Sequence, residues 1–499
     1  MKKLSDRAVP SERGYLSGQI TVFFSLILVL IMSLLGTVTE LARTTLLDAY
    51  AMDMSLMGMD SIFAEYHREL LEKYDVFYLD GGYGGKEFSE SRILQRLQSA
   101  ISWNLEPAAG RPFLRSADMW RLRLEETGCG EFVLATDAGG AGFYRQCVEY
   151  KKGTSGLALF ADILSRITDW TQSQNLGGIE EDYADAQKKQ ADDWKKAAEE
   201  QEKAASRDKV PVAEDGEIQS DIPENPVQAV EELRMLSPLQ IVLADPNEVS
   251  RSRADMQQFP SHRKLRKGGG GTDPEANILT DIIFSEYLLE KLPDYTDGGE
   301  EDCLNYAVEY VLAGKESDIQ NLEYVVNRLL VIREALNFLY LQKDVQKQEE
   351  AYALAAALAG ITGFPPLIEA AKIGILMTWA FQESTKDVRF LLEGKKVPLM
   401  KTAATWNQES DQGITYQDYL RLLLLAQKRE KKTMRTLDLI ENRIRLLEGC
   451  PDFRIDNCVE SMRIHLKFSA PRIFLYFGIP GKGQERNYIT IDRTYGYGM

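Results

Sequence analysis

Nineteen consecutive residues without a charge, Ile20 to Val38, constrain this chain more than any other feature. As a helix they cover about 28 Å, close to the thickness of the hydrocarbon core of a bilayer. Thr21, Ser25 and Ser33 interrupt the run, but a helical hydroxyl can bond back to a carbonyl one turn earlier. On the N-terminal side, Lys2, Lys3, Arg7 and Arg13 outnumber Asp6 and Glu12. A basic flank stays cytoplasmic. The expectation is therefore a single-pass anchor in the cell membrane, N-terminus inside and the bulk of the chain extracytoplasmic. A cleaved signal peptide needs a shorter apolar region and small residues at the cut, whereas Thr39-Glu40-Leu41-Ala42-Arg43 follows here. A core helix of a cytosolic protein would show a polar face, and this run has none.

The helical pattern continues past the apolar run. From Glu40 to Tyr74 there is no proline and one glycine, Gly58, with an apolar stripe through Leu46, Tyr50, Met54, Met57 and Leu71. This spacing predicts one helix from Ile20 to about Lys73, half in lipid and half packed on an outer domain. The glycine-rich stretch after Asp80 ends it. Residues 119–137 read as two strands, with Gly128-Cys129-Gly130 as their turn. Between 180 and 234 stand seventeen acidic and eight basic residues. The first half of this stretch reads as a solvated polar helix, and Arg207 to Pro226, with three prolines, as a flexible linker. Gln257 to Pro274, basic and glycine-rich, reads as a solvated loop.

From Asn277 onward, helical spacing dominates: 277–292, 303–313, 322–342, 346–362, 367–381 and a long basic-faced helix over 416–447. The apolar arms on either side of Pro365-Pro366 are too short and too charged for a second span, with Glu369 and Lys372 inside, and read as a buried helical hairpin. Met462, Ile464, Leu466 and Phe468 then alternate with polar residues. With 473–479 and 487–494 they predict a C-terminal antiparallel meander. The predicted class is α+β, predominantly helical. Its parts are a basic tail (1–19), a transmembrane helix (20–38) and an outer α+β part (39–179). An acidic helix and linker (180–226), a helical region (227–460) and the meander (461–499) complete it.

No catalytic constellation stands out. A phosphate-binding loop, a nucleophile elbow and a His-Glu-x-x-His zinc motif are all missing from the string, and no cofactor or metal is expected. His67 reads as a surface residue. Cys129 with Cys147, and Cys450 with Cys458, are spaced for two extracytoplasmic disulfides, the fifth cysteine remaining free. The net charge of −17 argues against nucleic acid, or an anionic membrane, as partner of the bulk surface. Ser25, Ser33 and Gly36 offer close-approach positions where another membrane helix would pack.

Two resemblances extend this reading. Gly18-Gln19-Ile20-Thr21-Val22-Phe23-Phe24-Ser25-Leu26 is similar to the opening of TadE/TadG-like pilus-assembly proteins of tight-adherence (Flp-type) systems. Asp60 to Leu71, Glu309 to Asp318, Asn321-Leu322 and Arg333-Glu334-Ala335 resemble the domain-of-unknown-function family 5702. Together they imply a membrane-anchored structural or assembly protein of a pilus or secretion system, minor-pilin-like, whose partners are the bilayer and other membrane or pilus-system proteins. They make Gly18 a candidate processing site. Pilins place a glutamate five residues after the processed glycine, and Phe23 stands there, which speaks against incorporation into a pilus shaft. The second reading is a cell-surface ligand-binding or adhesion module using Tyr488, Tyr495 and Tyr497.

Overall fold

The computed structural model describes residues 13–105, 120–155, 160, 163, 165, 176–207, 224–270, 277–298, 303–358, 364–473 and 486–498. Helix α1 (Arg13–Phe63) is about 77 Å long and has two halves of different surroundings. From Gln19 to Thr39 it is almost wholly exposed. Beyond, it buries Leu47, Ala51, Met54, Met59 and Ile62. These meet helix α3 (Glu90–Leu105), whose Ile93, Leu97, Ile101 and Leu105 recur every fourth residue and are all buried. Gly58 makes that crossing possible, because a Cβ there would stand 2.5 Å from Cγ1 of Ile101.

The same core is closed by an antiparallel sheet of β1 (Leu79–Asp80), β2 (Arg123–Leu134), β3 (Cys458–Pro471) and β4 (Arg486–Gly496). β3 is central, with β2 on one edge and β1 and β4 sharing the other. Met462, Ile464, Leu466 and Phe468 of β3 are buried while Arg463 and His465 face water, the alternation of a sheet covered on one side. The antiparallel C-terminal sheet is as expected, although 474–485, which hold most of its expected middle strand, lie outside the described residues.

Three differences from the sequence reading have physical causes. Residues 119–137 do not form a hairpin: β2 runs straight through Gly128-Cys129-Gly130, with a bulge between Cys129 and Phe132. Both glycines stay out of the left-handed region and lie opposite β3 side chains instead of turning. The long helix also stops at Phe63, ten residues early. His67 N–H donates to Tyr78 O at 2.8 Å and Tyr66 bridges Leu79 before helix α2 (Arg68–Tyr74) begins. Ile62 and Phe63 belong to the sheet core, Leu70 and Tyr74 to a second, larger one. The break carries the chain from one core to the other. His67, expected at the surface, is half-buried there against the Phe453 ring, and burial lowers its pKa.

The helical part consists of α4 (Ala141–Ser155), α5 (Leu176–Arg207), α6 (Gln228–Arg234), α7 (Pro238–Val242), α8 (Ile278–Lys291), α9 (Ala307–Ala313), α10 (Asp318–Lys343), α11 (Val345–Leu358), α12 (Pro365–Leu392), α13 (Tyr416–Ala426) and α14 (Arg429–Arg445), with α5 and α11 packing on α10 and α12 in a cluster beside the larger core. Local signals set their starts: reciprocal capping boxes at Asn277/Thr280 and Thr415/Asp418, a serine cap at Ser317 and Pro365 in the first turn of α12. The expected helix over 416–447 is broken at Gln427 and Lys428, both extended. Three residues of its basic face are satisfied within the fold. The partners are Glu286 and Asp418 for Arg421, Asp281 for Lys432 and the last carbonyls of α9 for Arg435.

The acidic helix α5 is not a solvated spacer. Tyr183, Gln190 and Ala197, spaced seven apart, are buried against α10 and α12. One tyrosine and one alanine give too weak an apolar pattern to show this in the string. Residues 208–223 of the expected linker lie outside the described residues. The basic loop after Gln257 is likewise packed. Arg263 pairs with Glu441 and Asp456, and Gly268 N–H donates to Asp137 at 3.0 Å, tying the sheet to the helices.

Candidate functional site

Two features of the fold concentrate unusual chemistry: the first half of α1 with the collar where it enters the domain, and a set of charged groups buried among the helices. Along the apolar run the large side chains are exposed, Leu30 by 68 % and Phe24 by 63 %. Such a surface is unstable in water. Its hydroxyls are turned inward: Ser25 donates to Val22 O at 2.8 Å and Thr37 to Ser33 O at 2.8 Å. Among the described residues this is one helix long and apolar enough to cross a membrane. Gly18 lies inside it.

The collar begins two residues after Val38. Glu40 and Arg43, one turn apart, are both buried and paired at 3.1 Å. Arg43 also donates to Pro471 O at 2.9 Å and Trp120 O at 2.8 Å, while Glu40 accepts from Ile473 N–H at 3.3 Å. Charge-assisted bonds thus fix the helix to the end of β3 and to the residues before β2. At about 100° per residue, Ser25, Ser33 and Gly36 fall within about 80° of Glu40, Arg43 and Leu47. The small-residue face therefore points to the side on which the domain is attached.

The second feature spans the helical core. Arg333, Asp387 and Lys401 have fully buried side chains and Glu383 is 2 % exposed. Arg333 pairs with Asp387 at 2.7 Å, and Lys401 with Asp387 and Glu383 at 2.8 Å each. Arg333 also reaches Tyr419 and the carbonyls of Pro398 and Leu399. Burial alone would raise the Asp387 carboxyl, but its two cations outweigh that and hold it below the usual range. Glu309 is the opposite case. Buried without a cation, held by Tyr416 OH at 2.7 Å and Tyr295 N–H at 2.9 Å, it is pushed up to about 8, chiefly by desolvation. Tyr310 donates to Asp438 at 2.8 Å, Asp318 accepts from Ser250 at 2.7 Å, and Glu334 accepts from Tyr183 and Arg234.

Arg333, Asp387, Lys401 and Glu383 form one joined network, and each of the other carboxylates accepts from donors of its own, which is the arrangement of structural groups. Sequence reasoning did not single them out as a network. The signal is Arg333-Glu334 and Asn337 inside the otherwise apolar run Leu329 to Phe338.

The other sequence candidates are separated. The cysteines are unbridged: Cys129 lies on the sheet against Met462 and Cys147 in the helical core. Cys458 is buried in β3, and Cys450 packs at the edge of the same core; neither pair is bonded. Tyr495 donates to Asp60 and Tyr497 to Phe63 O, tying β4 to α1, while Tyr488 stays 63 % exposed. No group of three or more metal-ligating side chains is disposed around a point among the described residues.

Residues 216–470 match the model of a family of unknown function, DUF5702. The stretches Glu309–Asp318 and Arg333–Ala335 lie inside the match; Asp60–Leu71 and the anchor lie outside it. No curated protein and no solved structure matches the chain.

Proposed function

The chain belongs to the DUF5702 family, and for it we propose the role of a membrane-anchored structural or assembly protein whose domain lies outside the cytoplasm, within a pilus or secretion system. The observation that carries this reading is the continuity of α1. An exposed apolar segment of bilayer length runs without a break into a buried ion pair that fixes it to the sheet. A helix so clamped transmits position rather than swinging on a linker. The basic flank assigns the N-terminus to the cytoplasm. The similarity around Gly18 to TadE/TadG-like proteins suggests the system.

Other membrane proteins are the proposed partners, through Ser25, Ser33 and Gly36. Because that face lies under the domain, a partner helix packed on it must turn away at the membrane surface. No catalytic role is assigned, since the buried carboxylates are engaged by the protein's own donors. Fusing residues 1–45 to a reporter active only outside the cytoplasm tests the reading. Activity is expected, and a reporter retained inside the cell contradicts it.

A further inference from the structure

The end of the sheet nearest the apolar segment carries charge opposite to that of the whole chain. β2 starts at Arg123 opposite Ser469, and β4 starts at Arg486 opposite Pro471. Arg472 follows β3 directly and Arg121 precedes β2. Among the described residues, these four arginines share one end of the sheet with Glu125, which accepts from Arg486 at 2.7 Å, and with Glu40, which is paired with Arg43 and accepts from Ile473 N–H. The next acid inward, Glu126, is held by Lys467 at 2.9 Å. Arg121 and Arg123 are exposed, and Arg472 and Arg486 half-exposed. The chain as a whole has a net charge of −17.

The position of this end relative to lipid follows from α1. Arg43, which binds the carbonyls of Trp120 and Pro471, is five residues beyond Val38, or about 7.5 Å along the axis. That is the depth of the headgroup layer when the apolar run fills the hydrocarbon. Tyr488, opposite Ser469 and two residues in from the end of β3, stands 63 % exposed beside the arginines. An exposed amphipathic aromatic beside guanidinium groups is the composition of a membrane-interface belt.

We infer that this end of the sheet is a lipid-binding surface, on which Arg121, Arg123, Arg472 and Arg486 take the phosphates of anionic phospholipids while Tyr488 enters the headgroup layer. The inference rests on α1 being the anchor. The domain then stands directly on the leaflet, its sheet end-on to the membrane. Guanidinium groups bind phosphate in pairs of hydrogen bonds, and a negatively charged leaflet attracts basic residues within a Debye length of its surface.

The test uses the full chain in nanodiscs of pure phosphatidylcholine or of phosphatidylcholine with phosphatidylglycerol. A fluorescent amino acid is placed at position 488, or in a separate protein at position 30. Lipids carrying a quencher at the headgroup or deep in the chain report depth. Headgroup quenching at 488 should be about twofold or more stronger with phosphatidylglycerol and should fall to the neutral-lipid level in 1 M salt. It should fall likewise in Arg121→Glu/Arg123→Glu. The lipid and salt comparisons need no variant, so misfolding cannot imitate the result. Equal quenching at 488 in both lipids, with position 30 quenched by the deep probe, overturns the lipid surface alone. Loss of deep quenching at position 30 overturns the anchor, and the lipid surface with it.

Discussion

Arg333, Asp387 and Lys401 come from two helices and a loop and meet with no side-chain exposure. Their value to the fold lies in completeness: a buried charge that loses its partner costs more than the pair contributes. Asp387→Ala should lower stability by about 3–5 kcal/mol, read as a fall in the guanidinium midpoint of the full chain in detergent; an unchanged midpoint would contradict the network. Glu309 makes a pH-dependent contribution of known sign. Its folded pKa, about 8, lies above the ordinary 4.5, so the folded state holds a proton that the unfolded state releases. Stability from this group is complete below about pH 4.5 and declines up to about pH 8, at no more than about 1.4 kcal/mol per pH unit. In Glu309→Gln that decline should be absent between pH 5 and 8. The polar intrusions at 333, 334 and 337 are visible in the string, but Asp387 lies 54 residues from Arg333. Such pairings exist only once α10 and α12 pack.

Elements were more legible than their interruptions. Apolar period located α8, α10 and α12, because each buries a broad apolar face. The breaks at Ala64–His67 and at Gln427–Lys428 leave no proline or glycine in the sequence; they arise where the chain passes between cores or redirects a basic face. α5 shows the converse, a helix whose composition looks solvated and whose packing rests on three positions. Tyr183→Ala should therefore cost about 3 kcal/mol, whereas Glu181→Ala, on the exposed side, should stay within about 0.5 kcal/mol. Equal, negligible effects would restore the spacer reading. At the α1–α3 crossing, Gly58→Leu should cost about 1–3 kcal/mol by overpacking, and Ile101→Ala in the same chain should recover part of it. A purely additive double-mutant cycle would show that the helices do not cross there.

For the whole molecule, the apolar run gave the architecture its strongest constraint, and the structure adds how the run is joined to the rest. Glu40 and Arg43 read in sequence as the first charges after a membrane span; in the fold they are the pin that makes anchor and sheet one body. The net charge proved a poor guide to surfaces, since −9 of it lies in 180–234 while the end of the sheet nearest the apolar run carries four arginines. That local excess could not be read from the string, because Arg123, Arg472 and Arg486 are brought together only by strand register. The central claim, that α1 crosses the bilayer and carries the domain outside, is tested most directly by an epitope tag after Met499, probed with antibody on intact spheroplasts. The account predicts staining without permeabilisation, at the level seen after it. Staining that appears only once the membrane is opened would contradict it.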